Sequence, residues 1–383
     1  MAAQLSVSTH RDDDRTLVVV FLRGAADGLT LVAPVQDDNY HRFRPRLAVK
    51  PGEVVALDGF FGLHPLLRPL EAAWKEGDLA IVHGVGGESD TRSHFEAQDL
   101  MEHGGVAAGG WLGRFLRARG PAASPLSAVA LAPTLPECLS GAPAAAAFQS
   151  LREFSVGKVD EAFPRELRRL YERETGPLRT AAANTFEAIR RIEEIRADAA
   201  PEHGATYAED DAFAQGLRQV AQLIKAGVGL QAASVDLTGW DSHFTQETVM
   251  NPLMRRLAGG LAAFRQDLGP RMATATVVVM TEFGRRVAEN SGFGTDHGRG
   301  SAMFVMGGGV RGGHVWGGPM AQGPGHWPGL KPEMLEGPGD LPVWNNYRDV
   351  LAPVLMRHGL EAAALRSVFP DFELRPAPLY GAA

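Results

Sequence analysis

The 383-residue chain has a single cysteine, Cys138. One thiol excludes an internal disulfide framework and a thiolate metal cluster, and Pro-Glu-Cys-Leu-Ser offers it no Cys or His neighbour, so it reads as a spectator. Positive charge is also scarce: 38 Lys and Arg against 45 Asp and Glu give a net charge of −7, with no dense Lys/Arg run. That balance lacks the electrostatic footprint of nucleic-acid binding. No G-x-G-x-x-G links a strand to a helix with an acidic residue about 20 positions on, which removes a nicotinamide-dependent oxidoreductase; Gly307-Gly308-Gly309 lacks that context. No fixed-period repeat points to a solenoid. Apolar runs are of strand length, so no membrane partner is expected. Residues 1–15, MAAQLSVSTHRDDDR, contain neither an apolar region nor an Arg-Arg pair, and the chain as written reads as cytoplasmic. If a twin-arginine signal has been removed, the mature protein is periplasmic.

What is present fits a large buried core, with 45% hydrophobic and 22% charged residues. Apolar runs at 17–22, 79–83, 127–131, 232–237, 276–281 and 302–306 read as strands. They alternate with helical stretches at 65–75, 92–102, 165–173, 180–198, 208–225, 247–266 and 347–357. That alternation predicts a three-layer α/β sandwich: a mainly parallel central sheet with helices on both faces, in one domain spanning 1–383. Between about 140 and 215, charged and Ala-rich helices run without intervening strands, which predicts a helical insert or cap, with homodimer formation as its alternative use. Pro- and Gly-rich residues 317–341 read as a long surface loop, where His314, Trp316, His326 and Trp327 either line a pocket or pack on the surface.

In open α/β sheets, ligands gather at the carboxyl ends of strands. Four segments place chemistry there. The loop between 276–281 and 302–306 holds Glu282, Arg285, Arg286, Asp296, His297 and Arg299, and is either a site or a solvated connection. Asp241 and His243 follow the 232–237 strand; two apart in extended chain they lie roughly 6.5–7 Å from each other on one side. Such a pair converges on a divalent ion, or else orients and caps the helix beginning near Thr245. In Ile81–Gly104 a strand runs into a helix start, where Thr91 or Ser93 is a candidate nucleophile or ligand and His94 its base; the alternative is a plain capped helix. Arg23 emerges from the first strand, suited to grip phosphate, sulfate or carboxylate, or to pair with a local acid such as Asp27.

The segments VVVFLRGAADGL, FGLHPLL, TRSHFEAQD, GWDSHF, TEFGRR and TDHGRGSAMFVMGGGV, in that order, closely resemble the bacterial domain-of-unknown-function family 1501 over about residues 16–372. That family, whose members are often labelled only as twin-arginine-signal proteins, is grouped with the alkaline-phosphatase-like superfamily of phosphatases, sulfatases and cofactor-independent phosphoglycerate mutases. The resemblance implies an alkaline-phosphatase-like fold. It also implies a site in which Asp27, Thr91 or Ser93, Asp241 with His243, and His297 follow the superfamily's order. The chain departs from that pattern in three places. Glu282-Phe283-Gly284 stands where Asp-His-Gly is expected, Arg23 holds the place of the first strand's Asp, and Asp-x-His replaces Asp-x-x-x-His. The resemblance therefore implies one divalent ion, zinc before other metals, rather than two, on Asp241, His243 and His297, with Asp296 and Asp27 as further candidates. A metal-free anion site is the other reading. The implied activity is a metal-assisted hydrolase or transferase acting on a phosphate or sulfate ester. Ser93, Thr91, His94 and Glu282 are its catalytic candidates, and Arg23 and Arg285 neutralise the anion. The alternative is a catalytically degenerate member that binds an anionic or sugar-like ligand or a partner protein. In both, the small-molecule partner is an anionic ester or a glycan.

Overall fold

Thr16–Arg23 is apolar at six consecutive positions because both its faces are covered. Val18, Val20 and Leu22 point into one hydrophobic cluster with Val277 and Val279, closed by helices Ala212–Lys225 and Gln246–Leu268. Leu17, Val19 and Phe21 point into the other with Val278 and Met280, closed by helices Trp111–Ala118 and Tyr347–Arg357. A strand with alternate residues in two cores has no polar phase. The computed structural model, which describes residues 15–122, 124–151, 162–195 and 199–381, is thus an α/β sandwich.

Among the described residues the central sheet has nine strands. Their order is His314–Trp316, Leu79–Gly86, Ser301–Gly307, Ala275–Met280, Thr16–Arg23, Ala232–Thr238, Ala128–Ala130 and Ala146–Ala147, with Asn345–Asn346 also paired to Leu79–Gly86. Every pairing is parallel except the two made by Ser301–Gly307, which runs against both neighbours. This reversal positions the site: residues entering Ser301–Gly307 lie at the same sheet edge as those leaving Thr16–Arg23, Ala232–Thr238 and Ala275–Met280. The loop 281–300 therefore begins and ends at the carboxyl edge.

Two expectations need adjustment. The stretch expected to be a strandless insert from about 140 includes the edge strand Ala146–Ala147. Beyond it lie helices Ala162–Glu172 and Pro177–Glu194; the latter buries Ala188 and Ile192 in the first core and pairs Glu187 with Arg190 and Arg191 on its outer side. Parts of the expected insert, 152–161 and 196–198, lie outside the described residues. Trp316 is a buried strand residue, and the half-buried Trp327 packs edge-on against Phe61, His83 and Trp344.

Asp27 is not at the metal-ligand position assigned to it. It is 1% exposed, and its carboxylate accepts from Arg44 Nη1 at 2.5 Å and Nη2 at 3.1 Å, from Thr30 Oγ1 and Gln246 Nε2 at 2.8 Å, and from the Leu29 amide as a helix cap. Arg44, fully buried, also donates to the carbonyls of Val287 and Arg286. The pair joins the first strand's exit, helix Gln246–Leu268 and the loop 281–300 behind the site. Burial alone would raise the Asp27 carboxyl, but the charge and hydrogen bonds of Arg44, with Thr30 and Gln246, hold it below its ordinary 3.8. A lowered folded value means stability that is present above 3.8 and is lost as pH falls through the folded value. Arg44→Met strands a buried carboxylate, and urea unfolding at neutral pH should show a loss of about 3–5 kcal/mol. That deficit should narrow in acid, where the parent protein also loses the pair. A loss under roughly 1 kcal/mol at neutral pH, the range of an exposed pair, would show that the pair does not anchor the fold.

Candidate metal centre

Three strand-end loops and one helix start meet at the carboxyl edge. Gly24, with φ +115°, lets the loop after Thr16–Arg23 pass against the loop after Ala232–Thr238: a Cβ there would lie 2.6 Å from the Asp241 amide nitrogen. Across this contact lies Arg285, buried to 1% exposure. Its Nε donates to the Ala25 carbonyl at 2.8 Å, Nη1 to Thr295 at 3.1 Å, and Nη2 to Gly24 at 2.6 Å and Trp240 at 3.3 Å. Nη2 also holds Asp241 Oδ1 at 2.8 Å.

On this platform His94, Asp241 and His297 come together, each offering one ligand atom within 4.8 Å of the others. Asp241 Oδ2 is 3.6 Å from His94 Nε2, and Asp241 Oδ1 is 3.5 Å from His297 Nε2. Two ligand atoms bound at 2.0–2.2 Å to a tetrahedral ion lie roughly 3.3–3.6 Å apart; each imidazole Nε2 comes that near to one Asp241 oxygen, the two using different oxygens, and the mutual limit of 4.8 Å leaves room for a shared cation. Side-chain and main-chain partners set the tautomers. His94 Nδ1 is 2.8 Å from Glu282 Oε1, and His297 Nδ1 is 2.9 Å from the Arg92 carbonyl. Both partners only accept, so each Nδ1 carries the hydrogen and each Nε2 turns its lone pair toward Asp241. His94 Nε2 is buried and has no hydrogen-bond partner among the described residues. An unsatisfied buried acceptor facing a carboxylate and a second imidazole is the arrangement a cation completes.

His243 borders the cluster without completing it. Its Nε2 is 3.2 Å from Asp241 Oδ1 and 2.9 Å from His297 Nε2, and its Nδ1 faces Asp296 at 3.4 Å. Because His297 Nε2 accepts, His243 Nε2 carries the hydrogen of that contact. Asp296 stands behind His243, held by Asn290 and Arg286, rather than among the converging ligand atoms. Phe283, in the place where the resemblance expects histidine, stacks on His94 with ring centroids 5.0 Å apart and an interplanar angle of 22°, and lies 5.0 Å from the His297 ring. It buttresses two imidazoles that it cannot replace.

The structure reassigns several candidates. Glu282 is 3% exposed and accepts from His94, Gln98, the Gly24 amide and Thr281, so it orients His94 instead of meeting a substrate. Arg23 is bound to Asp236 at 2.6 Å, Glu102 at 2.5 Å and Gln98 at 3.0 Å, and its charge is already neutralised. Arg285 likewise serves carbonyls and Asp241, not an incoming anion. His94 is bonded to neither Thr91 nor Ser93. The Thr91 hydroxyl donates to Glu96 at 2.7 Å, while Ser93 is exposed and makes no capping bond to helix His94–His103. Gln98, Arg92 and Arg44 carry no sequence signal that singles them out, although Gln98 lies one helical turn from His94 and both reach Glu282.

Electrostatics keep the cluster in its ligand form. Burial would raise Asp241 and Glu282, but Arg285 for the first, and His94 with Gln98 for the second, hold both below the ordinary carboxylate range. Burial, then the charges of Arg285 and His94, lowers His297 below its ordinary 6.5. For a base the sign is the same as for the acids: unfolded chains take up the proton first, so stability is lost as pH drops below 6.5 toward the folded value. Resolved imidazole NMR titration of the metal-stripped protein should place His297 below 6.5; a midpoint at or above that value contradicts this environment.

No curated protein matches the chain. A family profile matches residues 81–325, which include His94, Asp241, His243, Glu282 and His297 and make up more than half of the sequence. The chain belongs to the family described as Protein of unknown function (DUF1501).

Proposed function

We propose that the protein is a single-metal hydrolase acting on a phosphate or sulfate ester, an alkaline-phosphatase-like enzyme with a reduced metal site. The observation that carries the reading is the convergence of His94 Nε2, unpartnered and buried, with Asp241 and His297 Nε2. One ion is favoured over two because Asp27 is tied to Arg44 and Asp296 stands behind His243. Two imidazoles and a carboxylate suit zinc, manganese or ferrous iron, and zinc is our choice. A divalent ion held there supplies Lewis-acid polarisation of an ester oxygen.

The chain's own groups do the rest. Glu282 and the Arg92 carbonyl fix the two imidazole tautomers, and Arg285 holds the Asp241 carboxylate ionised and aimed. Were a cation to take His297 Nε2, the His243 Nε2 hydrogen would turn to Asp241 Oδ1, 3.2 Å away. Asp241 is half exposed, which leaves the cluster open to a substrate on one side. Ser93 is the hydroxyl available to attack or to position water. A second reading, binding without turnover, is favoured by one observation: Arg23 and Arg285 are both engaged by the protein, leaving neither to neutralise a transferring group.

Protein purified without an affinity tag should carry about one equivalent of zinc by elemental analysis, the stoichiometry of one three-ligand site. Asp241→Asn and His297→Ala should each lower occupancy about 10-fold or more with far-UV dichroism intact; Glu282→Gln, which keeps the shape but weakens the acceptor, should weaken metal affinity roughly 10- to 100-fold. Full occupancy in all three variants would end the metal assignment. Activity should be weak hydrolysis of an aryl phosphate or aryl sulfate, stimulated by Zn²⁺ or Mn²⁺, since one cation does not clamp both attacking and leaving oxygens. A loaded protein that turns over no ester in a broad panel would favour binding without turnover over hydrolysis.

A further inference from the structure

We propose that a cavity of about 440 Å³ beside the histidine cluster binds a small amphipathic carboxylate, seated on Arg348. The volume lies within the roughly 300–1,000 Å³ of small-molecule sites. Its apolar lining includes Leu100 and Met101 from helix His94–His103, with Val106 and Tyr347. Glu282 and Phe283 form the wall it shares with the candidate metal centre. The proposal goes beyond the metal reading and does not depend on an ion being bound.

Arg348 is the reason for the ligand class. It is 4% exposed, so its charge is largely withdrawn from water. Its guanidinium lies over the Phe372 ring at 3.8 Å, and its Nε donates to Asn346 at 3.0 Å. Its one carboxylate partner among the described residues is Glu88, at 2.9 Å from Nη2, whose own side chain is 69% exposed. Nη1 has no hydrogen-bond partner among the described residues and rests against Gly105, where an added Cβ would come within 3.1 Å of it. A buried cation calls for a buried counter-ion, and a solvated Glu88 that has to be held in place is a weak one. A ligand carboxylate entering the cavity takes two parallel donors from a preorganised planar fork, while its apolar body covers the lining and Glu88 returns to water. Of three further acids on the lining, Glu96 and Asp371 are exposed and screened, and the buried Glu282 carboxylate is already met by donors from His94, Gln98, Thr281 and the Gly24 amide, so they oppose an anion less than the buried guanidinium favours it.

Isothermal titration calorimetry on the full chain with 4-phenylbutyrate, 4-phenylbutan-1-ol and 4-phenylbutylamine separates charge from apolar fit. The carboxylate should bind about 10-fold or more tightly than the alcohol or the amine, as a desolvated charge-assisted pair requires. Arg348→Met should remove that preference. Glu88→Gln, a change on an exposed side chain, should tighten 4-phenylbutyrate binding by about 3-fold or more, because the competing counter-ion is gone. If Arg348→Met fails to fold, Glu88→Gln still decides. Equal binding of the three probes, tighter binding of the amine, or a Glu88→Gln variant that binds the carboxylate no better overturns the proposal. Metal content measured on the same samples keeps this outcome apart from that of the metal reading.

Discussion

Arg285 is the constraint on which the site rests. Loops are normally the mobile part of an α/β sheet, and the loop 281–300 must be held against the loop after Ala232–Thr238 for His297 to face Asp241. A buried guanidinium carries five donors in a rigid plane, and here they reach carbonyls on the loops leaving Thr16–Arg23 and Ala232–Thr238 and on the loop 281–300. The remaining interaction goes to Asp241, which stays half in water. A charge at this depth is stable only if it is paired and its donors satisfied; Arg285 meets both conditions by locking the geometry of the carboxylate it pairs with. Lysine, with a single ammonium, would not span the same set of carbonyls.

Around that lock the polar groups form a chain rather than a collection of pairs. Asp236 and Glu102 hold Arg23, Arg23 holds Gln98, Gln98 and His94 meet on Glu282, and His94 faces Asp241. Burial would raise Asp241 and Glu282, yet both are lowered, so the hydrogen bonds and opposite charges outweigh burial at those positions. The consequence is a cluster in which Asp241 and Glu282 stay ionised and His297 is held toward its neutral form.

The fold is legible in the sequence where burial is two-sided. Leu17 to Leu22 and Val277 to Met280 show no polar alternation because alternate side chains enter different cores, and such runs announce central strands. Ala146–Ala147, His314–Trp316 and Asn345–Asn346 are two or three residues long and become strands only through their neighbours, so local pattern gives no sign of them. In the site, Asp241, His243 and His297 are legible because strand ends are where ligands gather. His94 stands out in the sequence for a different role, since a helix start reads equally as a nucleophile's base or as a ligand. Arg23, Asp27 and Arg285 mislead for one shared reason: they have partners distant in sequence. Arg23 meets Asp236 across 213 positions, Asp27 meets Gln246 across 219 and Arg285 meets Gly24 across 261. A strand-end arginine looks the same in sequence whether its fork points at a substrate or at the protein.

Those long-range partners bear on how the site handles charge. In a phosphoryl or sulfuryl transfer, negative charge spreads over equatorial oxygens and needs fixed positive partners. Neither strand-end arginine is offered to that task; both stabilise acids that the protein itself has buried or aimed. On the proposed reading, the positive charge offered to a substrate at the cluster would be mainly that of a bound cation, and loading would matter more here than in a site with an uncommitted guanidinium. Arg348, whose counter-ion is exposed and whose Nη1 is unpartnered among the described residues, is the contrasting case on the far side of Phe283. The protein thus separates two kinds of positive charge: arginines that hold its own acids in place, and one buried beside a cavity with only a solvated acid to balance it.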